Sequence, residues 1–169
     1  MRYSPAAVAL SLLCAVTASS LQSAPVQQLD PRAAKLVVQG RAALAASNVE
    51  GAIDAFEAAL AIQPGSATIY LNLAEASRQQ GMQGKALHYY REVLEAEPQN
   101  LAAIAGEGAA LAEKGALDKA KRNLARLQGL CGDNCQATRD LGTALASASQ
   151  PRVITADAAK PQQPAVSSN

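Results

Sequence analysis

Alanine stands at positions 52, 86 and 120, each 34 residues beyond the last. A fixed period of this length constrains the fold more than any other feature of the chain. Each repeat is one supersecondary unit that cannot bury its apolar face alone, so such chains stack helix pairs side by side rather than enclose one catalytic core. Other positions keep the same period. Phe56 is followed by Tyr90 and Leu124, Pro64 by Pro98, and Gly81 by Gly115. Gly40 is followed by Ala74, Gly108 and Gly142. Five classes of position in one register are hard to obtain by chance.

The residues between these landmarks read as helices. Asp30-Pro31 predicts a helix start, because Asp accepts hydrogen bonds from free backbone N–H groups and Pro suits the first helical position. Leu36, Val37, Ala43 and Leu44 then recur at helical spacing until Ser47-Asn48. Asn48 caps a second helix carrying Ala52, Ile53, Phe56, Ala59 and Leu60, which ends near Gln63-Pro64-Gly65. The pattern is rewritten twice. Ser66 to Gln80 and Gly84 to Ala96 form one pair. Asn100 opens another, with Ile104, Gly108 and Leu111 before Gly115 and Ala120, Leu124 and Leu127 after it. A seventh helix is expected from about Asp133 to Ser149, and Gly142 makes it half of a fourth repeat without a partner.

Composition excludes several functions. The formal charge is +1, which gives no field for gathering nucleic acid or acidic lipid. The chain is 49% hydrophobic but only 3% aromatic and has no Trp, so Leu and Ala fill the core. Arg2, the apolar run from Ala6 to Val16 and the small residues Ala18, Ser19, Ser20, Ser23 and Ala24 predict a signal peptide over residues 1–24. That run is too short for a comfortable permanent span, so no membrane span is expected after cleavage. An uncleaved anchor and a lipoprotein at Cys14 are the alternatives, though Leu13 stands where lipidation requires a small residue. Residues 25–30 read as a linker. From Gln150 the sequence turns to Pro, Gln, Ser and Ala and reads as a disordered tail. Cys131 and Cys135 bracket Gly132-Asp133-Asn134 at the joint before the seventh helix. Of the three cysteines Cys14 lies in the expected signal, and the two that remain, an even count in an exported chain, fit a disulfide. A metal site would lack further ligands, and a redox pair would lack the two-residue spacing of thioredoxin-like motifs.

These residues resemble the tetratricopeptide repeat family, whose 34-residue unit has a large then a small residue in its first helix, then Ala, an aromatic, a small residue and Pro in its second. The first repeat (about 33–66) supplies Leu36, Gly40, Ala52, Phe56, Ala59 and Pro64. The second (67–100) matches most fully with Tyr70, Leu73, Ala74, Ala86, Tyr90 and Pro98. The third (101–134) supplies Ile104, Gly108, Leu111, Ala120 and Leu124, with Gly132 in the Pro slot. The resemblance implies an all-α, right-handed α-solenoid of three helix pairs plus a capping helix, spanning residues 31–149. Gly40, Ala74 and Gly108 are expected to make room for a neighbouring backbone, and Gln136, Arg139, Asp140 and Thr143 to face water from the cap.

In this family the first helices line a concave groove that binds peptides. The corresponding positions are Ala34, Val37, Val38 and Arg41, then Leu71, Asn72, Glu75 and Arg78, then Ala102, Ala105, Gly106 and Ala109. Some relatives grip a terminal carboxylate with Lys, Arg and Asn. Asn72 matches one such position, but Val37, Arg41, Ala102 and Gly106 depart from the others, so that clamp is not expected. Arg41 and Arg78 could meet an acidic or carbonyl-rich peptide, or simply be solvated. His88 has no nucleophile constellation around it and occupies a surface slot. Neither a catalytic residue, a cofactor, a small-molecule substrate nor a metal is expected. The reading is therefore a non-enzymatic module for a protein or peptide partner, periplasmic or secreted, in bacterial envelope assembly or secretion. A structural or oligomerisation module and an accessory subunit of an envelope enzyme are the alternatives.

Overall fold

The computed structural model describes residues 28–149. The expected signal with Cys14, the start of the linker and the tail lie outside the described residues. The described chain forms seven helices: α1 (Pro31–Ala45), α2 (Val49–Ile62), α3 (Ala67–Gln79), α4 (Gln83–Ala96), α5 (Leu101–Glu113), α6 (Leu117–Cys131) and α7 (Gln136–Ala148). The starts of three follow from their caps. The Asp30 side chain accepts from the Arg32 N–H at 2.8 Å, Asn48 from Gly51 at 3.0 Å and Asn100 from Ala103 at 2.9 Å. The backbone N–H of Arg32, seconded by its side chain, holds the Asp30 carboxyl below its ordinary range.

The ends of α1, α3 and α5 are alike. In each, two backbone N–H groups reach back to the last turn, as from Gly81 to Arg78 O and from Met82 to Ser77 O. This closure needs a left-handed residue after the helix. Gly81 and Gly115 supply it at φ 77° and 83°, and Ser47 occupies the same slot at φ 60°. Ser47 is thus a beat of the 34-residue period in which the glycine is missing but the backbone conformation is kept.

Helices pair as α1 with α2, α3 with α4 and α5 with α6, and each pair packs on the next. First helices also touch one another, α1 on α3, α3 on α5 and α5 on α7, whereas the second helices α2, α4 and α6 make no mutual contact. The array therefore bends with its first helices inside. Two apolar clusters form the core. One holds Val37, Phe56, Ile69 and Leu73, and the other holds Tyr90, Ile104, Leu127, Leu141 and Leu145. The periodic alanines Ala52, Ala86 and Ala120 are fully buried in these clusters.

Two expectations are corrected. At Gly40 and Gly108 the small residue accommodates a side chain rather than backbone. A Cβ on Gly40 would lie 2.3 Å from Cε1 of Phe56, and one on Gly108 would lie 2.6 Å from Cδ2 of Leu141. In the first pair Phe56 of α2 reaches across to α1 and needs that space, whereas at Gly108 the occupant comes from α7. The seventh helix begins at Gln136 rather than near Asp133, because Gly132 turns the chain out of α6 at φ 81° and Cys135 becomes the N-cap. At this joint the buried Thr138 hydroxyl donates to the Gly132 carbonyl at 2.9 Å.

Candidate functional site: a groove across three first helices

The bend gathers the inner faces of α3, α5 and α7 around a cavity of about 610 Å³, a size typical of ligand and peptide pockets. Its walls are mostly small and apolar. Leu71 lines it from α3, and Leu101, Ala102, Ala105, Gly106 and Ala109 from α5. Ala137, Leu141 and Ala144 close it from α7. Side chains of this size leave the groove open while still covering the core beneath it. Tyr90 of α4 reaches into the floor with 3% exposure. Its ring passes under Gly106, where a Cβ would lie 2.3 Å from Cε1 and Cζ. Gly106 is thus the residue that lets a second-helix aromatic reach the concave face.

The polar groups sit on the α3 and α7 walls. Arg78 is 21% exposed and clasped by two carboxylates: Nη1 donates to Glu75 Oε2 at 2.7 Å, and Nε donates to Glu113 Oε1 at 3.2 Å. Burial works against its charge, but the hydrogen bond to Glu113 and the Glu75 charge outweigh that and hold the guanidinium above its ordinary range. Beside it the Tyr90 hydroxyl is pushed up to about 12, first by burial and then by the Glu75 charge. Asp140 lines the α7 wall, where its Oδ1 accepts from Gln136 Nε2 at 2.6 Å. Among the described residues no cation pairs with it.

The structure divides the expected site residues into two groups. Leu71, Glu75, Arg78, Ala102, Ala105, Gly106 and Ala109 come together around the cavity. Those of the first repeat do not. Val37 is packed into the core with 3% exposure, and Val38 is 66% exposed on the surface. Arg41 lies at the α1 end of the concave face, where its Nε donates to Asn72 Oδ1 at 2.9 Å. Asn72 in turn donates to the Thr68 carbonyl at 2.6 Å. Asn72 is thereby engaged on both sides, and Arg41 is tethered to it. The site extends beyond the expected residues onto the cap helix. Gln136 and Asp140 stand 34 residues after Ala102 and Gly106. Carrying the groove register one repeat further would have found both, because α7 presents to the groove the face that every first helix presents. Tyr90 carries no such signal, since its period assigns it to the core. The Cys131 and Cys135 sulfurs stand 2.18 Å apart, and Cys135 itself lines the groove. His88 is exposed, with Nδ1 3.7 Å from Glu92 Oε1, and takes no part in the cavity.

A family model described as "Tetratricopeptide repeat" matches residues 67–100, which are α3 and α4 with their turns. The fold is that of a tetratricopeptide repeat domain. Solved tetratricopeptide repeat structures align with it along most of its described length. The "TPR2B-domain:pHsp70-complex of yeast Sti1" is 19% identical, with a TM-score of 0.64 over 73% of this chain and 100% of that one. The Sgt2 TPR domain from Aspergillus fumigatus is 23% identical, with a TM-score of 0.61 over 83% and 90%. The first TPR of Spaghetti (RPAP3) bound to the HSP90 peptide SRMEEVD is 20% identical, with a TM-score of 0.61 over 70% and 94%. No curated protein matches the chain by sequence. Among the described residues, no helix of this tetratricopeptide repeat fold is long and apolar enough to cross a membrane.

Proposed function

We propose that the protein is a non-enzymatic interaction module that receives a peptide or a segment of a partner protein in the groove of α3, α5 and α7. The carrying observation is the cavity of about 610 Å³ whose walls are alanine, glycine and leucine. Small side chains on rigid helices leave space for the larger apolar side chains of a visitor, and the helices need not rearrange to admit them. Structurally similar domains solved with an HSP90 peptide and in a pHsp70 complex support a peptide-binding use of this fold.

The setting proposed for this activity is the bacterial envelope. The expected signal over residues 1–24 directs the chain out of the cytoplasm. An oxidising compartment would join Cys131 to Cys135, clipping the last residue of α6 to the N-cap of α7. The role is envelope assembly or secretion, with docking as the whole mechanism.

A photo-reactive residue in place of Ala105, on the groove wall, should crosslink a discrete partner in living cells. The same residue at Ala125, exposed on α6 and outside the groove, should not. Equal labelling from both positions, or none from Ala105, would remove the groove from consideration as the binding surface.

A further inference from the structure

We infer that the occupant of the groove is an amphipathic segment with a Lys or Arg beside its apolar face, held by Asp140, and not an acidic peptide end. This assignment rests on the groove being the binding site. Three charged side chains line the cavity: Glu75, Arg78 and Asp140. Arg78 is the sole cation among them, and each of its three nitrogens already donates to a carboxylate, Nη1 to Glu75 and Nε and Nη2 to Glu113 behind it. A visiting carboxylate would have to break that clasp, leaving one or two carboxylates partly buried without their partner. Arg41 and Asn72, the other polar pair of the concave face, are bonded to each other and lie outside the cavity. The unbalanced charge in the groove is therefore negative, and it resides on Asp140, whose one hydrogen bond comes from the neutral Gln136. A cation brought there gains a carboxylate without displacing another cation, while apolar side chains enter against Leu71, Ala105 and Ala144. Charge complementarity of this kind fixes register and partner choice more than raw affinity.

The test uses the full chain and two fluorescein-labelled peptides that share leucines at helical spacing. One carries lysines on its flanks and the other glutamates. The lysine peptide should bind at least about fivefold more tightly at low salt, with the preference shrinking as ionic strength rises. Asp140→Lys should reverse the preference, and Ala105→Trp should abolish binding of both peptides with the helical circular dichroism unchanged. Tighter binding of the glutamate peptide, or no discrimination, with Ala105→Trp still blocking it, overturns this inference and leaves the groove as the binding site. Peptide binding indifferent to Ala105→Trp overturns both. A dimer that Ala105→Trp dissolves would give the groove to a second copy and overturn the assignment. So would a chain ending at Ser149 that binds the lysine peptide tenfold more tightly than the full chain, because residues 150–169 would then be the occupant.

Discussion

The two ends of the array solve the same packing problem differently. In the first pair the second helix supplies Phe56, fully buried against Gly40, and Ile69 and Leu73 of α3 complete the cluster. In the third pair the same slot holds Leu124, which is only half-buried, and Gly108 instead receives Leu141 from α7. The first pair fills the space at Gly40 with its own aromatic, while the third has the space at Gly108 filled by a helix that belongs to no pair. The groove lies at the second end. In the first pair, where Phe56 fills the space at Gly40, Val37 is buried and lines no part of the cavity. Where small residues predominate, a cavity remains between α3, α5 and α7. Binding capacity and internal packing thus draw on the same positions, and the chain assigns them to opposite ends.

The most direct way to break this comparison is to remove the two equivalent side chains. Phe56→Ala should cost about 3–5 kcal/mol, since it opens a cavity in the fully buried cluster that Phe56 shares with Val37, Ile69 and Leu73. Leu124→Ala should cost only about 1 kcal/mol, because a half-buried leucine loses less transfer energy and its site stays open to water. Urea unfolding of both variants measures the gap. Equal losses would mean that the third pair is as closed as the first.

Tyr90 gives a second contrast, between burial in a core and burial beneath a groove. Its hydroxyl is held at about 12 in the folded chain against an ordinary value near 10. The stability this represents is fully present below pH 10. It is lost as pH rises from about 10 to about 12, where the unfolded chain releases the phenolic proton and the folded chain retains it. The loss should be roughly 2–3 kcal/mol at the upper end. Tyr90→Phe should lack this part of the alkaline decline, which the difference between the two pH–stability curves isolates. Coincident curves would show that the hydroxyl is better solvated than its place under Gly106 indicates.

The joint between α6 and α7 separates the ends in a third way. If the bond between Cys131 and Cys135 forms, it closes a very short loop, and the chain-entropy gain is about 2 kcal/mol before strain. Reduction should therefore lower the stability of the α5–α7 end and leave α1–α2 untouched. Hydrogen exchange read by mass spectrometry, with and without reductant, resolves the two. Uniform loosening would show that the cap supports the whole array.

Most of the architecture was legible because one period governs it. Ala52, Ala86 and Ala120 set the period and are fully buried, and Asp30, Asn48 and Asn100 located three helix starts. Ser47 was read only as a break, because the glycine that marks its slot elsewhere is absent while the backbone it demands persists. The groove was half legible. Position in the repeat predicted Leu71, Glu75, Arg78 and Ala105, since the inner face of a first helix is set by its register. It could not predict that Val37 would be buried or that Arg78 would be clasped by Glu113, 35 residues away. Such outcomes depend on which side chains meet between repeats, and a period does not encode them.

Gly142 sharpens the comparison with the smallest effect. It continues the beat of Gly40 and Gly108, where a methyl group would strike Phe56 and Leu141. A Cβ on Gly142 would meet nothing within 4 Å, because among the described residues no partner helix follows α7. Gly142→Ala should then raise stability by about 0.8–1 kcal/mol, the helix-propensity difference with no packing cost against it. Gly108→Ala gains the same propensity but forces Leu141 aside in a packed core, at about 1–3 kcal/mol, so its net effect should be destabilising. Thermal melts of the two variants should move in opposite directions. A destabilising Gly142→Ala would mean that this face of α7 is covered after all, and that the array continues past its cap helix into a further packed element.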